Sequence, residues 1–204
     1  MEVKFGIIGC GNIGKRHAKH IYEHKEGKLT GVFDIDYNKA KDISNQYKCS
    51  CFSSFEDLLR SDIDIVNICT PNGLHATQSI QCLNKSKNVL VEKPMALSSA
   101  DCESMIHTAF KMNKQLFVVK QNRYNPPVIA LKRLVDENRL GKVYFVAVNC
   151  YWNRNAEYYN KSNWKGTKLL DGGTLFTQFS HFVDILYYLF GDIIDIQGKT
   201  INAS

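Results

Sequence analysis

A glycine pattern near the start of the chain is typical of loops that bind a dinucleotide. The run Gly9-Cys10-Gly11-Asn12-Ile13-Gly14 follows an apolar strand candidate and opens a helical pattern, as a phosphate-binding turn requires. Gly9 permits the tight turn, Gly11 lets the backbone approach a pyrophosphate, and Gly14 allows close packing of helix on strand. The helix N-terminus then offers N–H groups to the anion. We therefore expect this turn, with Asn12 and Ile13, to bind the cofactor.

An acidic residue at the end of the second strand candidate favours NAD over NADP. The carboxylate of Asp34 can accept hydrogen bonds from the ribose hydroxyls of NAD, and it would repel the additional phosphate of NADP. No arginine follows it immediately to compensate for that repulsion. The alternative is that Asp34 only begins the turn Asp34-Ile35-Asp36.

Two further polar segments follow strand candidates of the same predicted sheet. They are Cys69-Thr70-Pro71-Asn72-Gly73-Leu74-His75 and Glu92-Lys93-Pro94. Ligands of an open parallel sheet bind beyond the carboxyl ends of its strands, so these turns should line the nicotinamide end of the cleft. The residues from which we expect cofactor contacts are Thr70, Pro71, Asn72, His75, Glu92 and Lys93.

The order and spacing of these motifs resemble the Gfo/Idh/MocA oxidoreductases, from about residue 3 to residue 195. The resemblance implies that Lys93, the lysine of Glu-Lys-Pro, is a catalytic residue. An ammonium there can hydrogen-bond the reacting hydroxyl and stabilise negative charge that develops on its oxygen. Without the motif, a surface lysine in a turn would be the expected interpretation.

A late helical segment, Thr174–Phe190, carries one apolar and one polar stripe. Leu175, Phe179, Phe182, Leu186 and Leu189 form the apolar stripe, which we expect to face the core. Thr177, His181, Asp184 and Tyr188 form the polar stripe, which lacks the Lys and Glu typical of a solvated face. By its match to Gly-Gly…His-x-x-Asp, His181 corresponds to the family's active-site histidine, and it would act as a catalytic general base. A core histidine with a satisfied hydrogen bond is the alternative.

Thr177 departs from the pattern of inositol dehydrogenase-like members, which carry an aspartate there, so no carboxylate–imidazole pair is available from that position. Three segments, 120–126, 152–155 and 171–181, are more similar to another branch of the family. That branch oxidises carbon 3 of UDP-N-acetyl amino sugars or their uronic acids and serves surface-polysaccharide biosynthesis. The residues expected to contact such a substrate are Arg123, Tyr124, Arg154, Trp164, Thr177 and His181.

Apolar runs that alternate with helical stretches over residues 1–122 predict a doubly wound parallel sheet, a Rossmann-type α/β domain. The strand candidates are Val3–Gly9, Leu29–Phe33, Ile65–Cys69, Asn88–Val91 and Leu116–Val119, with helices near 13–24, 37–47, 75–84 and 98–113. Pro126 and Pro127 mark the end of this alternation of strands and helices. Residues 123–204 predict a shortened α+β domain with helices Val128–Asn138 and Thr174–Phe190 and strands Lys142–Tyr151 and Ile193–Thr200.

Composition excludes several classes of protein. The chain is 44% hydrophobic with a formal net charge of +6, which is ordinary for a globular protein. We expect no nucleic-acid partner, because no basic run is interleaved with aromatics, and no membrane span, because the most apolar late segment is short and contains Asp184. Seven cysteines without a C-x-x-C pair favour reduced thiols in the cytoplasm. His17, His20 and His24 share part of a helix face, but without a third ligand we predict a solvated face and no metal.

Two functions remain open. The first is transfer of a hydride from a secondary hydroxyl of a sugar, with a nucleotide sugar as the expected substrate, to NAD. The second is an NAD-binding module without turnover, because only two strand candidates remain where the family's second domain has an open sheet. Either the chain is a shortened product or it recruits strands from a partner. We expect a homo-oligomer formed through residues 123–204.

Overall fold

A computed structural model describes residues 2–199 and contains a six-stranded, fully parallel sheet. Its strands are β1 (Val3–Ile8), β2 (Gly27–Phe33), β3 (Ser50–Cys51), β4 (Ile65–Ile68), β5 (Asn88–Val91) and β6 (Leu116–Val118). The order β3-β2-β1-β4-β5-β6 means that the direction of winding reverses between β1 and β4. The predicted doubly wound fold is therefore confirmed.

Eight α-helices accompany the sheet within residues 2–199. They are α1 (Asn12–Glu23), α2 (Tyr37–Tyr47), α3 (Phe55–Arg60), α4 (His75–Asn84), α5 (Ser99–Lys111), α6 (Pro126–Asp136), α7 (Ala156–Asn160) and α8 (Ser180–Phe190). Short 3-10 turns occur at Asn72–Leu74 and Gln121–Tyr124, and a π-helical turn, Leu175–Phe179, precedes α8. None of these helices is long and apolar enough to cross a membrane.

The sheet is buried on both faces, as parallel sheets usually are. Neighbouring residues of β1 belong to different core clusters: Ile7 packs with Val32 and Ile43, and Ile8 packs with Ile68 and Val91. Alternate side chains of a strand point to opposite faces, so each face of β1 is covered by its own helices. The central strands thus form a rigid base for the turns at their carboxyl ends.

The chain divides into two compact units. The first contains the residues up to Val119 together with Arg154–Thr177, and the second contains Lys120–Asn153 and the residues from Gln178 on. A second domain was predicted to contain all of 123–204, whereas the structure groups Arg154–Thr177 with the sheet. Backbone and side-chain hydrogen bonds from Asn72 and Gly73 to this segment account for the grouping.

The two strands predicted for the second domain are wrong. Lys142–Tyr151 is irregular, and so is 193–199, while Thr200 lies outside the described residues. A strand requires a neighbour that pairs with its N–H and C=O groups, and residues 2–199 provide no such neighbour for either segment. The side chains of Tyr144, Phe145 and Ile194 are correspondingly 84%, 84% and 99% exposed.

Candidate active site

The glycine turn between β1 and α1 leaves space and hydrogen-bond donors for a diphosphate. Gly9 has a φ of +92°, and a Cβ there would lie 2.7 Å from the carbonyl of Cys69. A Cβ at Gly14 would lie 2.0 Å from the Gly9 oxygen, so glycine permits the close approach of α1 to β1. At Gly11 a Cβ would meet no described atom within 4 Å, and no described side chain caps α1. This open, uncapped helix N-terminus, which begins with Asn12 and Ile13, fits the pyrophosphate of a dinucleotide.

Asp34 lies directly after β2 and supports the glycine turn. Its Oδ2 accepts the N–H of Cys10 at 2.6 Å, and its Oδ1 accepts the N–H of Asp36 at 2.8 Å. Asp34 therefore does begin the Asp34–Asp36 turn, which was the alternative interpretation. A carboxylate has about four acceptor sites, so these two bonds leave capacity for ribose hydroxyls.

The turn after β4 holds a loop of the first unit. Thr70 Oγ1 donates to Gln78 Oε1 at 2.6 Å, and the buried Asn72 side chain donates from Nδ2 to the carbonyl of Asp171 at 2.8 Å. The N–H of Gly73 donates to the carbonyl of Leu170 at 3.0 Å. Pro71, between Thr70 and Asn72, is half-buried. The amide of Asn72, for which cofactor contact was predicted, is thus engaged by residues 164–173, called here the 164–173 loop.

His75 ties this turn to the Glu-Lys-Pro turn. Its buried ring places Nδ1 2.7 Å from the Pro94 carbonyl oxygen and Nε2 2.9 Å from the Thr70 carbonyl oxygen. Burial lowers the pKa of His75, and the two carbonyl oxygens oppose that effect. The structural link between the two turns was not foreseen, since the sequence analysis assigned His75 only to the cofactor.

Lys93 follows β5 and is held by an interaction within the first unit. Its Nζ donates to the carbonyl oxygen of Thr177 at 2.7 Å. The N–H and Oγ1 of Thr177 in turn donate to the carbonyl of Gly173, at 3.0 and 3.2 Å. The structure thereby brings together Lys93 and Thr177, two of the predicted site residues.

Glu92 has a partner that the sequence analysis missed. Its Oε1 lies 2.8 Å from Nε2 of His17, and its Oε2 accepts the N–H of Lys93 at 3.1 Å. The predicted solvated face is therefore wrong for His17, whose side chain is 14% exposed, although His20 and His24 are exposed. A signal was present, because His17 lies three positions after Gly14 and four before Ile21, two residues that α1 buries.

Two of the predicted substrate-binding residues lie in Arg154–Thr177, the segment that belongs to the first unit. The Arg154 guanidinium lies over the ring of Tyr158, 4.1 Å from its centroid. Trp164 is half-buried, and its carbonyl accepts the Thr167 hydroxyl at 2.6 Å. This cation–π contact orients the guanidinium plane of Arg154.

The second unit contains the remaining substrate candidates. Arg123 donates to Asp184 from Nε at 2.8 Å and from Nη2 at 2.7 Å, and Lys120 lies 3.3 Å from the same carboxylate. Burial raises the pKa of Asp184, but Arg123 and Lys120 outweigh it, so that the pKa lies below its ordinary value. Tyr124 is 78% exposed, and His181 is half-buried in the first turn of α8.

The predicted stripes of the late helix are only partly correct. Leu189 is buried, but Leu175 is 63% exposed, because the segment begins as a π-helical turn rather than an α-helix. A π turn changes the angle between successive side chains, so the helical spacing predicted from Leu175 does not hold. On the polar stripe, Asp184 pairs with cations, and Tyr188 lies under Arg123, whose guanidinium carbon is 4.8 Å from the ring centroid.

Comparison with known proteins identifies relatives over nearly the whole chain. The WlbA dehydrogenase of Chromobacterium violaceum, solved with NADH and UDP-GlcNAcA, is 41% identical with a TM-score of 0.90, over 93% of this chain and 56% of that chain. The WlbA dehydrogenase of Bordetella pertussis, solved with the same ligands, is 34% identical, also with a TM-score of 0.90, over the same shares. Glucose-6-phosphate 3-dehydrogenase of Bacillus subtilis is 30% identical over 92% of this chain and 53% of its own length.

Family models match both parts of the chain. Residues 3–120 match an oxidoreductase family with an NAD-binding Rossmann fold, and residues 128–204 match the GFO/IDH/MocA C-terminal domain. The chain spans about half the length of many curated relatives that it matches. With the glycine turn, the sheet order and both models in agreement, the chain belongs to the Gfo/Idh/MocA family of oxidoreductases, and its N-terminal domain is an NAD-binding Rossmann domain.

Proposed function

We propose that this chain carries out NAD-dependent oxidation of a secondary hydroxyl on a nucleotide sugar. The observation that carries the proposal is the Lys93 ammonium, held 2.7 Å from the Thr177 carbonyl at the end of β5. Parallel strands end at one edge of a sheet, so this cation shares an edge with the glycine turn after β1. Two WlbA dehydrogenases bound to NADH and UDP-GlcNAcA support the choice of substrate.

The proposed chemistry divides between the cofactor and two side chains. NAD, when bound, supplies the acceptor of the hydride. Lys93 holds the hydroxyl oxygen and stabilises the negative charge that develops as its proton leaves. His181 accepts that proton, because a neutral imidazole can act as a general base. The carbon loses a hydride, the oxygen loses a proton, and a ketone results.

The cations of the chain suit an anionic substrate. Lys120 and Arg123 share a single carboxylate, that of Asp184, so the cluster keeps an excess positive charge. A carboxylate or diphosphate would meet Arg123 or Arg154, and Trp164 would stack on a ring. Tyr124 and Thr177 complete the proposed substrate contacts. We assign NAD preference to Asp34 and place the reaction in the cytoplasm, in surface-polysaccharide biosynthesis.

A second candidate function is NAD binding without turnover. It is favoured by the irregular 142–151 segment, whose apolar side chains, such as Phe145, are exposed. A substrate that met this irregular segment instead of a paired strand would be held too loosely for the geometry that hydride transfer needs.

One pair of measurements separates the two candidates. Calorimetry measures NAD binding. Absorbance measures the NADH formed with UDP-GlcNAcA, and glucose 6-phosphate and myo-inositol are tested in the same assay for comparison. Our proposal expects binding and turnover with the nucleotide sugar alone. Binding without turnover on any of the three supports the second candidate, and preference for another sugar contradicts the assigned substrate.

A further inference from the structure

A largely buried chain of polar side chains links α1 to the turn that carries Lys93. Asn67 on β4 lies with its Nδ2 3.0 Å from Nδ1 of His17, and Nε2 of His17 lies 2.8 Å from Glu92. Glu92 then accepts the backbone N–H of Lys93. The side chains of His17 and Glu92 are 14% and 12% exposed, so water contributes little to their hydrogen bonding.

The contacts define the protonation pattern of His17. The Asn67 amide donates to Nδ1, so Nδ1 is an acceptor and the ring proton lies on Nε2. Nε2–H then points at the Glu92 carboxylate. A carboxylate that accepts hydrogen bonds on both oxygens can stay charged although it is largely buried.

Burial of the Asn67 amide costs free energy at this position. The residue is 1% exposed on a central strand, paired in register with Ile7 on one side and Leu90 on the other. Its Oδ1 has no hydrogen-bond partner within residues 2–199. An apolar side chain would fill this position without that penalty, and orientation of His17 gives a reason for an amide here.

We propose that His17 is a positioning residue, which fixes Glu92 and through it the backbone of Lys93. The effect on chemistry rests on the proposed function of Lys93, but the chain of contacts does not. Because α1 begins at the glycine turn, His17 also joins the cofactor-binding helix to the reacting end of the site. Nothing in the reaction requires His17 itself to touch substrate.

The pKa of Glu92 shows how the contact with His17 keeps this carboxylate ionised. Burial raises the pKa of Glu92, but the hydrogen bond from His17, together with the backbone N–H and the charge of Lys93, holds it below its ordinary value. His75 and Cys69 also face this carboxylate electrostatically. Removal of the His17 donor leaves burial less opposed, so the carboxylate should become harder to ionise.

Nuclear magnetic resonance on the whole chain, without cofactor or substrate, tests the contacts. In the wild type, ring nitrogen shifts should show a proton on Nε2 of His17. The carboxyl carbon of Glu92 should titrate at a higher pH in His17→Asn than in the wild type, because the shorter amide cannot reach Glu92. In His17→Gln, whose amide nitrogen can take the place of Nε2, the midpoint should return towards the wild type. His20→Asn, on the exposed face of α1, is the control and should leave it unchanged.

Two results would overturn the proposal. One is a neutral His17 ring in the wild type with its proton on Nδ1 alone. This measurement uses no variant, so it does not depend on whether a variant folds. The other is an unchanged Glu92 midpoint in a folded His17→Asn chain. If the proposed turnover is found, kcat should fall about tenfold in His17→Asn and recover in His17→Gln, with little change in KM for NAD. Absence of turnover would contradict the proposed function but leave the resonance results as the test of the contacts.

Discussion

Lys93 is the side chain on which the proposed chemistry depends most directly. Lys93→Met keeps the aliphatic stem and deletes the ammonium, so little packing should be lost. We expect turnover to fall about 100-fold or more, by analogy with loss of one oxyanion donor. NAD affinity by calorimetry should change little.

A second lysine provides the control for Lys93→Met. Lys87 precedes β5, and its Nζ donates to the backbone carbonyls of Ser61 and Ile63 at 2.6 and 2.9 Å. Lys87→Met removes a lysine with comparable backbone contacts, and it should reduce stability without loss of turnover. Equal turnover in the two variants would exclude Lys93 from the chemistry.

At Asp34, the proposed preference for NAD and the observed turn structure depend on the same carboxylate. Asp34→Ala should weaken NAD binding about tenfold or more, because a charged acceptor is lost from both the ribose and the Cys10 N–H. Asp34→Asn keeps an oxygen for Cys10 but removes the charge that repels NADP. Binding titrations with each cofactor should therefore show that the affinity for NAD relative to that for NADP falls in both variants. Unchanged NAD affinity in Asp34→Ala would rule out the ribose role.

Between elements, the turn after β4 fixes the 164–173 loop. Asn72→Ala leaves the Asp171 carbonyl without its donor and should destabilise the chain by about 1–3 kcal/mol. Gly73→Ala should also loosen the loop, because a Cβ would lie 2.0 Å from the carbonyl oxygen of Leu169. Limited proteolysis should then cut the loop faster, whereas Asn84→Ala, at the exposed end of α4, should not. Equal cleavage rates would show that this contact does not hold the loop.

The second unit depends on a charged contact between the 3-10 turn and α8. Asp184→Asn should reduce the free energy of unfolding at pH 7 by about 1–2 kcal/mol, since the Arg123 and Lys120 contacts weaken. Because the folded pKa of Asp184 is lowered, its contribution is full above the unfolded pKa, near 3.8, and is lost as pH falls through the folded value. Denaturation at neutral and acidic pH should show the difference vanish in acid.

An exposed ion pair of the same unit is the control for Asp184. Asp136 pairs with Lys132 on α6 but is 55% exposed, so Asp136→Asn should change stability by less than about 1 kcal/mol. If the Asp184 difference persisted at a pH well below 3.8, its origin would be packing rather than charge.

Across the whole molecule, exposed apolar side chains concentrate in the second unit. Phe145 and Tyr144 are each 84% exposed in the irregular 142–151 segment. Such surfaces promote association, so we expect the chain to self-associate through this region. Phe145→Asp should lower the sedimentation-derived association constant about tenfold or more. Phe110→Asp, at an 85% exposed position on α5, is the control and should have little effect.

Local patterns allowed the Rossmann half to be predicted from the sequence. Helices Tyr37–Tyr47 and His75–Asn84 and strand Asn88–Val91 were predicted with their observed bounds. Periodicity and turn chemistry specify such elements within a short window. Two elements were too short to be detected this way: β3 has two residues and α3 has six. Ser54 caps α3 by accepting the N–H of Asp57. A serine at this position is a sequence signal for the start of a helix, and it could have indicated α3.

The sequence by itself determined the glycine turn, most of the helices and most strands of the sheet, and the residue types at the candidate site. Only the tertiary structure decided that His17 contacts Glu92 and that Asn72 contacts Asp171, pairs separated by 75 and 99 positions. It also decided that Lys142–Tyr151 forms no strand. The physical reason is the same in each case. Propensity acts between near neighbours along the chain, whereas a buried hydrogen bond or a strand pair depends on which distant partner the fold brings within reach.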